Sequence, residues 1–464
     1  MKHTIRSYYE RVKEGENQID IFKRDGFKNN LTNLLSSTED SLTITIDADW
    51  GEGKTTFIKL WHDNLESSDQ FIPIYYNAFK NDFASDAFIS IAVTIQEAIK
   101  KHYKKHNLNQ DQENLIEEYT KVAKELGIEL AKMGTNLTVK LATGGLIQAN
   151  TIWDIFSDKT KELKKRENKS LISEKYDAFL NRRETIREYQ VALEKLLKVG
   201  SENENRRVVF FVDELDRCRP DFAIQVLEKI KHLFSVSNVN FILTINRKQL
   251  VEIIKHTYGV NEDDAQLYLH KFVHIETKLP TLKDLRTTSE QNLKLFIECL
   301  VKAFNIPNEL FDTDGFYNLI LKSMPKIDYT PRSIERAITL YTISISSCDE
   351  KKAKHLFRHV LLLSLLKVHA RPIFDDAKGN ERILKNISRI NIELGQNFIN
   401  YLGAEKYFGP GVTTLSSNQV KIKNLKEAAK IVDMYDLPPK PSKNNDSIEE
   451  ILTHRVPPNF YKED

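Results

Sequence analysis

The segment Ala48-Asp-Trp-Gly-Glu-Gly-Lys-Thr-Thr56 limits the fold more than any other part of the chain. Before it, Leu42-Thr-Ile-Thr-Ile-Asp47 alternates apolar and β-branched polar side chains, as a strand does. After it, Thr-Phe-Ile-Lys-Leu-Trp-His has the spacing of a helix. A glycine-rich turn between a strand and a helix suits an anion. Gly51 and Gly53 let the backbone approach closely. Successive N–H groups and the helix N-terminus supply partial positive charge for phosphate oxygens. The pattern G-x-x-x-x-G-K-[ST] is met at Gly53-Lys54-Thr55, with Ala48 in place of the first glycine and an added Gly51. Lys54 is expected to reach β and γ phosphates and Thr55 to ligate Mg2+. Asp49, Trp50, Gly51, Glu52, Gly53 and Thr56 complete the expected nucleotide-binding loop.

Residues 208–213, Val-Val-Phe-Phe-Val-Asp, form an apolar run that ends in a carboxylate. A central parallel strand buried on both faces reads this way. Asp213 is the expected Mg2+ ligand, acting through water. Glu214 is the expected base for the attacking water. Asp216 is an alternative for that role, and the sequence leaves the choice open. A second buried run, Val239 to Ile245, ends at Asn246, which is placed to sense a γ phosphate. Arg217, Arg247, Arg336 and above all Arg332, just after Pro331, are candidates to stabilise charge on the transferred phosphoryl group. No Asn-Lys-x-Asp guanine motif is present, which favours ATP. Strand–helix–strand alternation argues for a parallel sheet with crossover helices. The fold class expected is α/β: a doubly wound parallel-sheet core with a helical insert and a helical C-terminal region.

Together these residues resemble the KAP family of P-loop NTPases. The resemblance is carried by Trp50-Gly-Glu-Gly-Lys-Thr55, Asn77-Ala78-Phe79, Val212-Asp-Glu-Leu-Asp-Arg-Cys218, Asn246-Arg247, Tyr268-Leu-His-Lys271 and Pro331-Arg332. It covers roughly residues 15–345. Phe79 stands where the family usually has Trp, and Glu214 replaces an Asp. The resemblance implies an ATPase. For bacterial members it also implies a link to phage exclusion. Many members carry transmembrane helices between the two motifs. Here that insert, residues 80–200, has no long apolar stretch, and Lys140 interrupts the best candidate. Membrane attachment is therefore not expected.

The 464 residues suggest several domains. We expect a core at 1–280 with its charged insert at about 80–200, a helical lid at 281–345, a helical domain at 346–434 and a proline-rich tail at 435–464. The run Val-Leu-Leu-Leu-Ser-Leu-Leu at 360–366 is too short to span a bilayer. Cys218, Cys299 and Cys348 match no metal-ligand spacing and fit a reducing compartment. With no signal-like start, the chain is expected to be cytoplasmic. The 68 basic and 66 acidic residues nearly balance, which weighs against nucleic acid as the main partner. Only the cluster Lys161, Lys164, Lys165, Arg166 and Lys169 speaks for it. The function expected is an ATP-driven switch or motor, a homo-oligomer acting with an effector protein in antiviral defence. The alternatives are a nucleotide-gated scaffold and a nucleic-acid-stimulated ATPase.

Overall fold

In the computed structural model the described residues are 1–15, 20–68, 70–84, 86–105, 109–141, 168–198, 206–281, 290–323, 329–369, 371, 374–375 and 415–435. The chain divides into two compact units, residues 23–280 and residues 1–22 together with 281–464.

The unit of residues 23–280 is built on five parallel strands: β1 (Thr43–Asp47), β2 (Phe71–Asn77), β3 (Arg207–Asp213), β4 (Val239–Ile245) and β5 (Ile275–Lys278). Their order is β2-β3-β4-β1-β5. The helices of the chain begin with α1 (Tyr8–Lys13), which belongs to the other unit. Those of this unit are α2 (Asp25–Ser37), α3 (Lys54–Glu66), α4 (Ala78–Asn81), α5 (Ala87–Lys105), α6 (Gln110–Leu141), α7 (Asn168–Lys198), α8 (Pro220–Leu233), α9 (Arg247–Tyr258) and α10 (Glu262–His270).

The apolar run of β3 is explained by its two faces. Val208, Phe210 and Val212 join a core with α5, α8 and α9, whereas Val209 and Phe211 join a core with α2 and α3. Successive side chains of a strand point to opposite faces, so a strand covered on both sides has no polar positions to spare. The sheet is thus doubly wound, as expected. On the second face Trp61 of α3 lies edge-on to Phe211, ring centroids 5.1 Å apart, and its indole N–H donates to Thr32 Oγ1 at 2.9 Å. That bond satisfies the one polar atom of a fully buried indole.

β5 was not anticipated from the sequence. Its four residues alternate between half-buried and exposed. They form a strand because β1 offers them a ladder edge, with Ile44 opposite Ile275 and Asp47 opposite Lys278. At the other edge lies β2, which carries Pro73. Proline cannot donate to a ladder, so an edge strand is where it is tolerated.

The insert is helical where it is described. α6 and α7 are clasped by a buried tyrosine pair, Tyr119 and Tyr189, with hydroxyls 2.9 Å apart. Tyr119 also donates to the carbonyl of Ala92 in α5 at 3.1 Å. Burial pushes both phenol pKa values up. Lys161, Lys164, Lys165 and Arg166 lie outside the described residues, and Lys169 stands in the first turn of α7.

Among its described residues the other unit is helical: α1, then α11 (Glu290–Ala303), α12 (Thr313–Ser323), α13 (Pro331–Ser346), α14 (Glu350–His369) and α15 (Leu415–Asp433). Residues 1–22 contribute Ile5, Tyr8, Ile21 and Phe22 to its core. Val360–Leu366 of α14 are buried throughout, which accounts for the apolar run in this part of the helix. Buried Lys367 donates to the carbonyls of Val432 and Tyr435 at 2.9 and 2.6 Å, closing the end of α15. Among the described residues no helix is long and apolar enough to cross a membrane.

Candidate nucleotide site

The carboxyl ends of the strands converge. Asp47 of β1 is in register with Ile245 of β4, and Asn77 of β2 with Asp213 of β3. Ligands of open α/β sheets bind outside this edge.

The loop after β1 needs its glycines at Gly51 and Gly53, whose φ angles are 92° and 85°. An L-residue there would be strained. Ala48 needs no such freedom: it continues the strand, its N–H donating to the Ile245 carbonyl at 3.2 Å. The missing first glycine of the motif is thereby explained. Gly53 caps α3, so Lys54, Thr55 and Thr56 occupy the first turn. The Lys54 ammonium donates to the carbonyls of Ala48 and Asp49. Burial pulls its pKa down, against the charges of Asp216, Asp47, Asp213 and Asp49. The loop's single cation is therefore held half-buried among carboxylates.

Asp213 is 1% exposed, and both its oxygens accept hydrogen bonds. Oδ2 accepts from the Tyr75 hydroxyl at 2.9 Å, and Oδ1 accepts from Thr244 Oγ1 at 2.8 Å and from the Glu214 N–H at 3.0 Å. Burial and the Asp213 charge push the Tyr75 phenol pKa up. Donors of this kind fix how a carboxylate presents its remaining lone pairs to a cation. The Thr55 hydroxyl and Asp213 could supply oxygen ligands to a divalent ion.

Glu214 has φ 59°, a left-handed backbone in a non-glycine residue. Such strain gathers at functional positions. Asn77 Nδ2 donates to its Oε2 at 2.9 Å, and Arg217 Nη1 to its Oε1 at 2.5 Å. Asp216, 3% exposed, instead accepts from the Trp50 indole at 2.6 Å. It bridges the strand end to the phosphate loop. Asn246 caps α9 by accepting from the Gln249 N–H at 3.3 Å and makes a long 3.4 Å contact to Asp49 Oδ1. Glu52 is buried, and its carbonyl accepts from Arg24 at 2.7 Å.

The structure thus brings Asp49, Trp50, Lys54, Asp213, Glu214, Asp216 and Asn246 to one edge of one sheet. Arg332 belongs to the other unit, in the first turn of α13, beside Glu335 and Arg336. Sequence reasoning assigned no role to Tyr75, Thr244 or Arg24, and named Asn77 only as part of a motif. Thr244 left one trace, a polar residue near the end of the apolar run of β4.

No curated protein matches the chain. The model of the KAP family P-loop domain matches residues 24–346. Such a domain implies nucleotide binding, usually with Mg2+. Since the match spans more than half of the chain, this protein belongs to the KAP family of P-loop NTPases.

Proposed function

We propose that the protein binds Mg-ATP at the Ala48–Thr56 loop and hydrolyses it to drive a change of conformation or assembly. The observation that carries this reading is the half-buried Lys54 ammonium, set among carboxylates beside an Asp213 that is already oriented. This donor set fits a magnesium-bound triphosphate. The N–H groups of the loop and Lys54 hold the β and γ phosphates. Thr55 and Asp213 would hold Mg2+, which would supply positive charge against that building up on the phosphates. Glu214 takes the proton of the attacking water as its oxygen bonds to the γ phosphorus and the bond to the β–γ bridging oxygen breaks. Asp216 keeps the loop in place through Trp50, which supports Glu214 over Asp216 as the base.

Both oxygens of Glu214 accept hydrogen bonds from Asn77 and Arg217. A base so occupied favours turnover that waits for a signal, as a switch requires. The antiphage role rests on the family resemblance, and the homo-oligomer and the effector partner are part of the same proposal.

Lys54→Ala tests the reading. Nucleotide binding and hydrolysis should vanish while the melting transition persists. Full ATPase activity in the folded variant would refute it.

A further inference from the structure

The chain passes between its two compact units twice, from Phe22 to Lys23 and from Pro280 to Thr281. Arg24 stands just inside the first crossing, and its side chain is buried, 7% exposed. Its Nη2 donates to the carbonyl of Glu52 at 2.7 Å and to that of Pro280 at 2.8 Å, and its Nε also donates to Pro280, at 2.9 Å. These partners lie 28 and 256 residues away in sequence. One is in the middle of the phosphate loop, between Gly51 and Gly53. The other is the last residue before the second crossing. A single guanidinium thus joins the phosphate loop to both points where the chain leaves this unit.

The geometry around Arg24 leaves little slack. Its Nη1 would lie 3.3 Å from a Cβ added at Gly53, so the guanidinium rests against the glycine that caps α3. Lys23, directly before it, is held at φ 49°, a left-handed backbone in a non-glycine residue. Leu279, before Pro280, donates its N–H to the Asp47 carbonyl at 3.0 Å, so the second crossing leaves from beside the end of β1. The peptide between Glu52 and Gly53 is planar and trans. Holding its carbonyl on Arg24 therefore aims the Gly53 N–H the opposite way. The direction of that loop donor and the placement of both crossings become one geometric quantity. A planar fork with fixed donors can impose this, and a flexible ammonium cannot do so as well.

We propose that Arg24 is a positioning residue that couples anion binding in the phosphate loop to the two chain crossings, and through them to the helical unit. The coupling rests on the nucleotide reading above and is reciprocal: a change imposed at the crossings alters phosphate affinity by the same factor. Arg24 touches neither substrate nor metal in this scheme. It acts through the Glu52 carbonyl.

The test is hydrogen–deuterium exchange on the full chain, with and without a saturating non-hydrolysable ATP analogue and Mg2+. In the wild type the analogue should protect the phosphate loop and also change exchange in α11 and α13. In Arg24→Gln the loop should still be protected, while the change in α11 and α13 is lost. Arg24→Lys keeps the charge without the fork. It should show a smaller change than the wild type at equal saturation, and it provides the comparison if Arg24→Gln does not fold. An undiminished response of α11 and α13 in a variant that binds the analogue would overturn the proposal. So would a wild type whose loop is protected with no response in those helices. A wild type that binds no analogue would overturn the nucleotide reading itself, and the coupling with it.

Discussion

The two units dispose of buried polar groups differently. In the sheet unit Asp213, Asp216, Thr244 and Asn246 gather at the carboxyl ends of β3 and β4, and several bond to side chains of other elements, such as Tyr75 and Trp50. In the helical unit several buried polar groups serve the helices themselves. Ser323 donates to the Leu319 carbonyl at 2.6 Å, Thr342 to Thr339 at 2.8 Å, and Lys367 closes α15. The second pattern satisfies backbone groups and completes a core. The first concentrates charge in a low-dielectric place, where an unpaired group is costly and a paired one is held stiffly. Chemistry belongs where side chains orient one another across strands.

Glu214→Gln should separate the two patterns most sharply. Lys54, Thr55 and Asp213 still hold the nucleotide, so affinity survives while kcat falls by about 10²-fold or more, the usual worth of a general base. Steady-state kinetics with a binding titration measure both. Lost affinity would move Glu214 to metal binding, and undiminished turnover would restore Asp216 as the base.

Leu363→Ala probes the other side. Its side chain is buried in the helical core, and truncation should cost that unit about 3 kcal/mol. Urea unfolding followed by circular dichroism should show it, with nucleotide affinity unchanged. A large loss of affinity would break the separation drawn here.

Trp50→Phe keeps an aromatic ring and removes the indole N–H bond to Asp216. A cost of about 1 kcal/mol is expected, read as roughly fivefold weaker nucleotide binding.

The smallest effect concerns pH. The folded pKa of Lys54 lies below its ordinary 10.5. In the window just below 10.5 the unfolded chain therefore binds more protons at this site, and the folded form gains stability as pH rises. Relative to Lys54→Met, the nucleotide-free wild type should become more stable as pH rises towards 10.5. An opposite trend in paired urea titrations would show that the surrounding carboxylates outweigh burial.

Much of this architecture was legible because the signals were local. β3 and β4 announce themselves as apolar runs, β1 by alternation, and the phosphate loop by its glycines and lysine. β5 was not legible, since four half-exposed residues become a strand only beside β1. The groups around Asp213 and Glu214 were hidden for a related reason. Asn77 meets Glu214 because β2 and β3 pair with Asn77 opposite Asp213, and a register between strands more than a hundred residues apart leaves no mark on either. Arg24 looks in sequence like any surface arginine ahead of a helix.

The tyrosine clasp in the insert has a mechanical consequence. With Leu126 and Leu130, which pack into the same core, it fixes α6 as far as Leu130, and the helix runs on to Leu141. At 1.5 Å per residue the stretch beyond is an arm of about 17 Å, so each degree of tilt swings its far end by about 0.3 Å. Tyr119 is also bonded to α5, which follows β2 and the Asn77 that holds Glu214. A displacement too small to notice at the sheet would arrive at the tip of this arm as a stroke.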